Sequence, residues 1–302
     1  MSATTNRAAG DPVRLVLVTG HTFGNRAFEG IFASSAFLAG KITVSLMIGL
    51  DDSRAAATVG HQSLSRLAAD QGVRYIGTSD GRLSSLASRI RDAGPDYLLV
   101  IGWSSLVGTD ILSIPSSGCI GMHPTPLPLG RGQAPIPWTI IKGLKRTALS
   151  VFFLAEAADA GPVIERYDLD VRDNETSASL FYRVGHAHFT AGLDLAERIG
   201  GEVITGDVQD EAAATRWPRR RPADGEISDT MTAAQIDALV RALLGPYPRA
   251  FAWVAGERVA IRGVERHPLA AGRGDPDAGQ RIPFQCDDGM VYLLRDANRE
   301  DP

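Results

Sequence analysis

The segment Asp96-Tyr97-Leu98-Leu99-Val100-Ile101-Gly102 constrains the fold more than any other stretch, because no charged or amide side chain interrupts it between the aspartate and the glycine. A strand with one wet face alternates polar and apolar residues, whereas an unbroken apolar run is covered on both faces, as in a parallel sheet between helices. A helical stretch over 82–93, stopped by Gly94-Pro95, precedes it. The earlier chain repeats the pattern: a strand over 13–19 closing on Gly20, a helix over 25–38, a strand over 42–50, a helix over 60–70 and a short strand over 73–76. This alternation predicts a doubly wound α/β sheet, whose ligands sit at the carboxyl ends of its strands.

Beyond residue 102, a strand around 119–122 delivers His123 to such a carboxyl end. Pro124, Pro126 and Pro128 follow; they cannot continue a ladder and they stiffen the loop. A helix is expected over 134–143, then strands over 148–155 and 162–170 flanking a turn, Glu156 to Gly161, that carries Asp159, and a long helix over 175–199. Residues 200–227 mix Gly, Pro and charge and read as a linker. Past it, Ile236, Leu239, Val240 and Leu243 form one stripe of a helix over 232–244, with Thr232 as N-cap. Short strand-like pieces at 251–256, 258–265, 281–286 and 290–295 fit a small β-barrel. The expected division is 1–205 for the α/β domain, 206–226 for the linker and 227–302 for the barrel.

Composition narrows the partners. With 302 residues, of which 44% are hydrophobic, the chain can build two cores, and a net charge of −4 with interspersed signs gives no global pull toward nucleic acid or anionic lipid. The two cysteines, Cys119 and Cys286, are far apart, which argues against a disulfide framework and for a reducing compartment. Cys119 is expected as a small buried residue. Residues 1–12 are polar, and no run approaches the roughly 18 apolar residues of a spanning helix. A cytoplasmic protein without a membrane partner is therefore expected.

For chemistry, a histidine fixed after a strand and an Asp-x-Gly on a later turn suggest an imidazole oriented by a carboxylate and able to move a proton; a histidine that only hydrogen-bonds within its loop is the plainer alternative. There is no G-x-S-x-G elbow for a nucleophile. Nor is there a metal-spaced pair: His186 and His188 are two apart on a helix and face different sides, as surface or packing residues, so no metal is expected. Gly20-His21-Thr22-Phe23-Gly24 is a glycine-flanked turn where a phosphate could meet a helix N-terminus, but it lacks G-x-G-x-x-G, which disfavours a nicotinamide cofactor.

The segment His123-Pro124-Thr125-Pro126-Leu127-Pro128, with Gly130-Arg131-Gly132 and Ala134-Pro135-Ile136-Pro137-Trp138, resembles the HPSLLP…RG…AP…W signature of 10-formyltetrahydrofolate-dependent formyltransferases. Asp159-Ala160-Gly161-Pro162-Val163-Ile164 matches their DxGxxI element. Further on, 220–227 and the stretch from Leu239 to Phe251 resemble the C-terminal domain of the methionyl-tRNA and amino-sugar members.

The resemblance implies a Rossmann-like formyltransferase domain followed by a smaller OB-like β-barrel, with 10-formyltetrahydrofolate as co-substrate. It assigns proton transfer to His123 and orientation of that histidine to Asp159. The pterin is expected in a slot lined by Trp103, Ser104, Ser105, Leu106 and Val107, against backbone at Ala155, Glu156, Ala157 and Ala158. Thr125, Arg131 and Gln133 are expected to face the acceptor. One position departs from the pattern: where the family carries an asparagine whose amide meets the developing oxyanion, this chain has Gly121. Loss of one such donor costs on the order of a hundredfold or more in rate, and Asn25 of the first loop is one conceivable substitute.

Among acceptors, the amine or hydroxylamine of a small molecule is favoured, such as a nucleotide-linked amino sugar or the N-hydroxyornithine of siderophore assembly. A tRNA acceptor is disfavoured, because the only dense basic cluster is Arg216 with Arg219, Arg220 and Arg221. A formyl-folate binder or hydrolase is the third reading, kept open by Gly121. The barrel's part, whether gripping the acceptor, pairing subunits into a homodimer or buttressing the first domain, stays open.

Overall fold

The computed structural model describes residues 10–266 and 280–296. In chain order the elements are β1 (Val13–Thr19), α1 (Thr22–Ala33), α2 (Ser35–Leu38), β2 (Ile42–Leu50), α3 (Ser65–Asp70), β3 (Tyr75–Thr78), α4 (Ala87–Asp92), β4 (Tyr97–Val100), α5 (Thr109–Leu112), β5 (Gly118–His123), β6 (Arg131–Gly132), α6 (Pro135–Ile141), β7 (Arg146–Phe153), β8 (Val163–Asp170), α7 (Ser177–Ile199), β9 (Arg216–Trp217), α8 (Ala233–Ala242), β10 (Ala250–Val254), β11 (Glu257–Glu265), β12 (Arg281–Cys286) and β13 (Gly289–Arg295). The helix expected over 25–38 is two helices, because Ser34 leaves helical geometry and its hydroxyl caps the second one through Phe37 N–H.

Seven strands form one sheet in the order β3-β2-β1-β4-β5-β7-β8. β1 pairs in parallel with both β2 and β4, so the strand order reverses at β1 and opens a crevice at the carboxyl ends of β1 and β4. The sheet is mixed rather than wholly parallel, since β5 and β7 run antiparallel. Alternate side chains of β1 serve two cores: Leu15 and Leu17 pack with Phe28 and Ile31 of α1 and Leu195 and Ile199 of α7, while Val16 and Val18 pack with Ile90, Ile111 and Cys119 on the other face. The run 97–101 is buried throughout, as its lack of alternation requires. Helices α1 and α7 approach backbone to backbone at glycines: a Cβ on Gly30 would stand 2.1 Å from Phe189 O, and one on Gly192 1.9 Å from Ala27 O.

The chain divides into two compact units, 1–132 with 147–169 and 182–216, and 133–146 with 170–181 and 217–302. The stretch read as a linker therefore splits at residue 216. Its first part belongs to the α/β unit because Asp207 pairs with the backbone of Val163 and Gln209 is buried, neither of which Gly, Pro and charge content reveals. The second unit holds an antiparallel sheet, β10-β11-β13-β12, curled as a half-barrel. Helix α8 lays the expected stripe, Ile236, Leu239, Val240 and Leu243, into a core with Val259, Ile261, Val291 and Leu293. Its N-terminus carries a capping box, Thr232 with Gln235.

Candidate active site

His123 is the last residue of β5 and is buried. Its Nε2 lies 3.0 Å from the carbonyl of Gly130. A carbonyl only accepts, so Nε2 carries a proton, and in the neutral form of the ring the lone pair is on Nδ1. Asp159 sits in the turn between β7 and β8 with φ +58°, a left-handed conformation that aspartate tolerates better than most residues. Two residues on, Gly161 is required by space, because a Cβ there would lie 1.8 Å from Phe153 O. The Asp-x-Gly spacing thus follows from a tight backbone crossing.

The carboxylate of Asp159 accepts the Gly132 N–H at 2.9 Å. Among the described residues no hydrogen bond or ion pair joins Asp159 to His123 directly. The expected imidazole–carboxylate contact is replaced by an indirect one, in which the same three-residue stretch, Gly130 to Gly132, holds the ring at one end and the carboxylate at the other.

That stretch is itself pinned. Gly130 N–H donates to Thr215 Oγ1 at 2.8 Å and Arg131 N–H to Thr215 O at 2.9 Å, while Thr215 N–H donates to Pro128 O. Upstream, Ser150 Oγ donates to Thr125 O at 2.7 Å and accepts from Leu127 N–H, and Arg166 donates through Nε and Nη2 to Leu127 O. Every turn of the proline loop is therefore anchored in the α/β unit.

Of the three residues expected to face an acceptor, two are buried and one is exposed. Arg131 is 1% exposed, and its guanidinium donates to Gln209 Oε1 and to both oxygens of Glu211, so its charge is spent inside the protein. Thr125 is fully buried, and its Oγ1 has no hydrogen-bond partner. Gln133 is exposed. Sequence reading missed Gln209, Glu211 and Thr215; they lie in the supposed linker, where only their polar types gave a signal.

The neighbour of the histidine on the same strand face is Gly121, paired with Phe152 across β7. A Cβ at Gly121 would come within 2.6 Å of Leu154 Cδ2 and 3.4 Å of the Phe152 ring. A side chain at this position would begin against hydrocarbon, with Leu154 the group that must move. Asn25 does not supply the missing amide: it is buried in its own loop, donating to His21 O at 3.3 Å and Gln62 O at 3.2 Å.

Around the crevice, His21 caps α1 by accepting Phe23 N–H on Nδ1, so a protein ring, not an open amide cluster, occupies that helix start. A Cβ at Gly102 would press against Cβ of His21 at 2.6 Å, which brings the loops after β1 and β4 together. Phe23 stacks on His188, centroids 4.6 Å apart, and His188 Nδ1 bonds Val184 O at 2.8 Å. Burial holds His188 down to about 3 and, with His61 adding to it, His21 down to about 4, so both rings are neutral near neutral pH. His186 is exposed, edge-on to Tyr182. Burial pushes the Cys119 thiol up to about 12 and makes it inert.

In the loop after β4, Ser104, Ser105 and Leu106 are exposed, Leu106 by 77%, while Trp103 and Val107 pack with Leu154 against the core beneath. The indole Nε1–H of Trp103 is buried without an acceptor. Ala155, Glu156 and Ala157 are exposed and Ala158 half-buried. A partly open cavity of about 10 Å³, lined by Val151, Ile164, Glu165, Tyr167, Ala191, Leu195 and Arg198, lies on the opposite face of the sheet and admits about one water. Among the described residues no group of three or more His, Cys, Asp or Glu side chains could hold a metal ion, and no helix is long and apolar enough to cross a membrane.

A doubly wound sheet with a histidine at the end of β5 and an Asp-x-Gly turn after β7, with a curled antiparallel sheet later in the chain, is the arrangement that the resemblance to formyltransferases implies. The chain belongs to the formyl transferase family: residues 57–193 match the formyl transferase model and 220–299 the formyl transferase C-terminal domain. It is an enzyme of that family.

Three solved structures are similar in fold. The N-formyltransferase from Helicobacter canadensis, in complex with folinic acid and dTDP-3-aminofucose, matches 94% of this chain and 99% of its own at 13% identity and TM-score 0.69. The methionyl-tRNA formyltransferase from Clostridium thermocellum matches 94% and 99% at 19% identity and TM-score 0.59. HypX from Aquifex aeolicus, in complex with tetrahydrofolic acid, matches at 16% identity and TM-score 0.61; the match covers 94% of this chain but 44% of HypX.

Proposed function

We propose that the protein moves a formyl group from 10-formyltetrahydrofolate to the amine or hydroxylamine of a small molecule. The observation that carries this reading is the single stretch, Gly130 to Gly132, that holds the His123 imidazole and the Asp159 carboxylate at its two ends. The co-substrate supplies an activated formyl group. The loop after β4 is where the pterin is expected to lie, and exposed Leu106 beside the half-buried Trp103 supplies apolar surface for a flat ring.

His123 does the proton work. With Nε2–H on Gly130 O, its free Nδ1 takes the proton that an attacking amine loses as the new C–N bond forms, and returns it to the departing nitrogen. Asp159, anchored by Gly132, orients that histidine through the stretch that holds both. Position 121 contributes no donor.

A small acceptor is favoured over tRNA because the chain has a net charge of −4 and its one dense basic cluster is Arg216, Arg219, Arg220 and Arg221, the first, second and fourth of them exposed. The Arg220 guanidinium lies 4.9 Å from the Trp138 ring centre and donates to Asp224 O at 2.5 Å, so it is not presented as a free phosphate contact. The N-formyltransferase that binds dTDP-3-aminofucose makes a nucleotide-linked amino sugar one member of the class to try, with N-hydroxyornithine as the other. The hydrocarbon at position 121 favours a second reading, a hydrolase or binder of formyl-folate. Following loss of the formyl group across a panel of amines separates these: amine-dependent transfer supports the first, amine-independent formate release the second, and a salt-sensitive gel shift with tRNA would replace both.

A further inference from the structure

We propose that Gln209 is a positioning residue for this chemistry, resting on the formyl-transfer reading above: acting through Arg131 and the Asp159 turn, it sets where the imidazole and the carboxylate stand relative to each other. Gln209 is 6% exposed. Its Nε2 donates to the carbonyls of Asp159 at 2.9 Å and Gly161 at 2.7 Å, the two that bracket the left-handed turn. Its Oε1 accepts from Arg131 Nε at 3.2 Å and Nη2 at 2.8 Å. Arg131 lies between Gly130, which holds His123, and Gly132, which holds Asp159.

One side chain thus grips the aspartate's backbone and the strand that carries both contacts. Only a carboxamide can do this, because the position needs two donors on one side and an acceptor on the other; a carboxylate has no donors and an ammonium no acceptor. Glu211 is no substitute as anchor. Its side chain is 68% exposed, and an ion pair reaching into water holds geometry weakly.

Gln209→Met removes both grips at similar volume; Gln209→Glu keeps the acceptor for Arg131 and loses the two donors. Misplacing reacting groups by an ångström costs up to about a hundredfold. In the full-length protein, Gln209→Met is expected to lower kcat roughly tenfold to a hundredfold with KM for 10-formyltetrahydrofolate changed by less than about twofold, and Gln209→Glu to fall between it and the wild type. A purely structural residue would instead lower the melting temperature and leave kcat of the folded fraction unchanged.

A second readout needs no substrate. Nitrogen-15 spectra of the imidazoles, with the His123 signal assigned by its loss in His123→Gln, are expected to show the Nε2-protonated tautomer in the wild type and a tautomer mixture in Gln209→Met. Unchanged kcat together with an unchanged His123 tautomer in Gln209→Met would overturn the proposal. Should that variant not melt cooperatively, Gln209→Glu decides by kcat, equality with wild type overturning the proposal. A wild type that never consumes the formyl donor would overturn the functional reading instead, and the imidazole spectra would still decide the role of Gln209.

Discussion

Two residues apart on one strand face, positions 121 and 123 have opposite surroundings. Around His123 the backbone of the proline loop is held by named donors and acceptors from Ser150, Arg166 and Thr215. The atoms nearest to where a Cβ at Gly121 would stand are hydrocarbon, from Leu154 and Phe152. The difference teaches that, in the proposed site, the histidine stands in a loop braced by hydrogen bonds while position 121, two residues away, stands against apolar side chains. Buried polar groups are costly to leave unpaired, so a loop braced at this many points, with Thr125 Oγ1 left unpartnered, is costly to assemble and points to use.

The largest effect expected is on the polar side. His123→Ala should lower formyl transfer by about a hundredfold to ten-thousandfold, with folate affinity nearly unchanged, as steady-state kinetics and a folate titration would report. If affinity fell as far as rate, His123 would be a binding group and the contrast between the two positions would lose its meaning. Asp159→Asn keeps a side chain that tolerates the left-handed turn and removes the charge; a loss of roughly a hundredfold in kcat is expected, smaller than for the histidine.

The apolar side makes the converse prediction. Gly121→Asn alone should destabilise the protein by about 1–3 kcal/mol, as overpacking does, because its Cβ would meet Leu154 Cδ2 at 2.6 Å. Adding Leu154→Ala should restore cooperative melting and raise kcat at least about tenfold, since an oxyanion donor is worth that or more. A double variant that is stable yet no faster would mean that another group already serves the oxyanion.

The smallest effect expected is a stability change with pH. His21 and His188 titrate lower in the folded protein than in the unfolded chain. Below the ordinary histidine value the unfolded chain binds protons the folded one refuses, so stability falls as pH drops from about 6.5 toward 4 and is at its full value above that range. His188 alone should contribute a slope of roughly 1.4 kcal/mol per pH unit there. Melting curves of His188→Gln should be flatter over this window; an equal slope would show that the ring is not the source.

Much of this was legible in the sequence, and the parts that were not share a cause. Apolar runs and glycine or proline stops located the strands of the sheet, including β5 and its terminal His123, because burial on both faces leaves a mark on every residue. The half-barrel strands at 281–286 and 289–295 were equally plain from their turns. The antiparallel β7 was not, since strand direction depends on the loop that precedes it rather than on the strand's own residues. Arg131 was misjudged for a related reason: a charged residue between glycines reads as exposed, and only the fold brings Gln209 and Glu211, both from a stretch of linker-like composition, to bury and satisfy it. Leu154 against Gly121 is a contact across two strands, invisible until β5 and β7 are paired.

The most direct test of the central claim is the consumption of 10-formyltetrahydrofolate with and without small amines, run side by side for the wild type and His123→Ala. The account predicts amine-dependent loss of the formyl group in the wild type and its near-abolition in the variant. Equal rates in the two proteins, or a wild type whose rate ignores every amine, would contradict it.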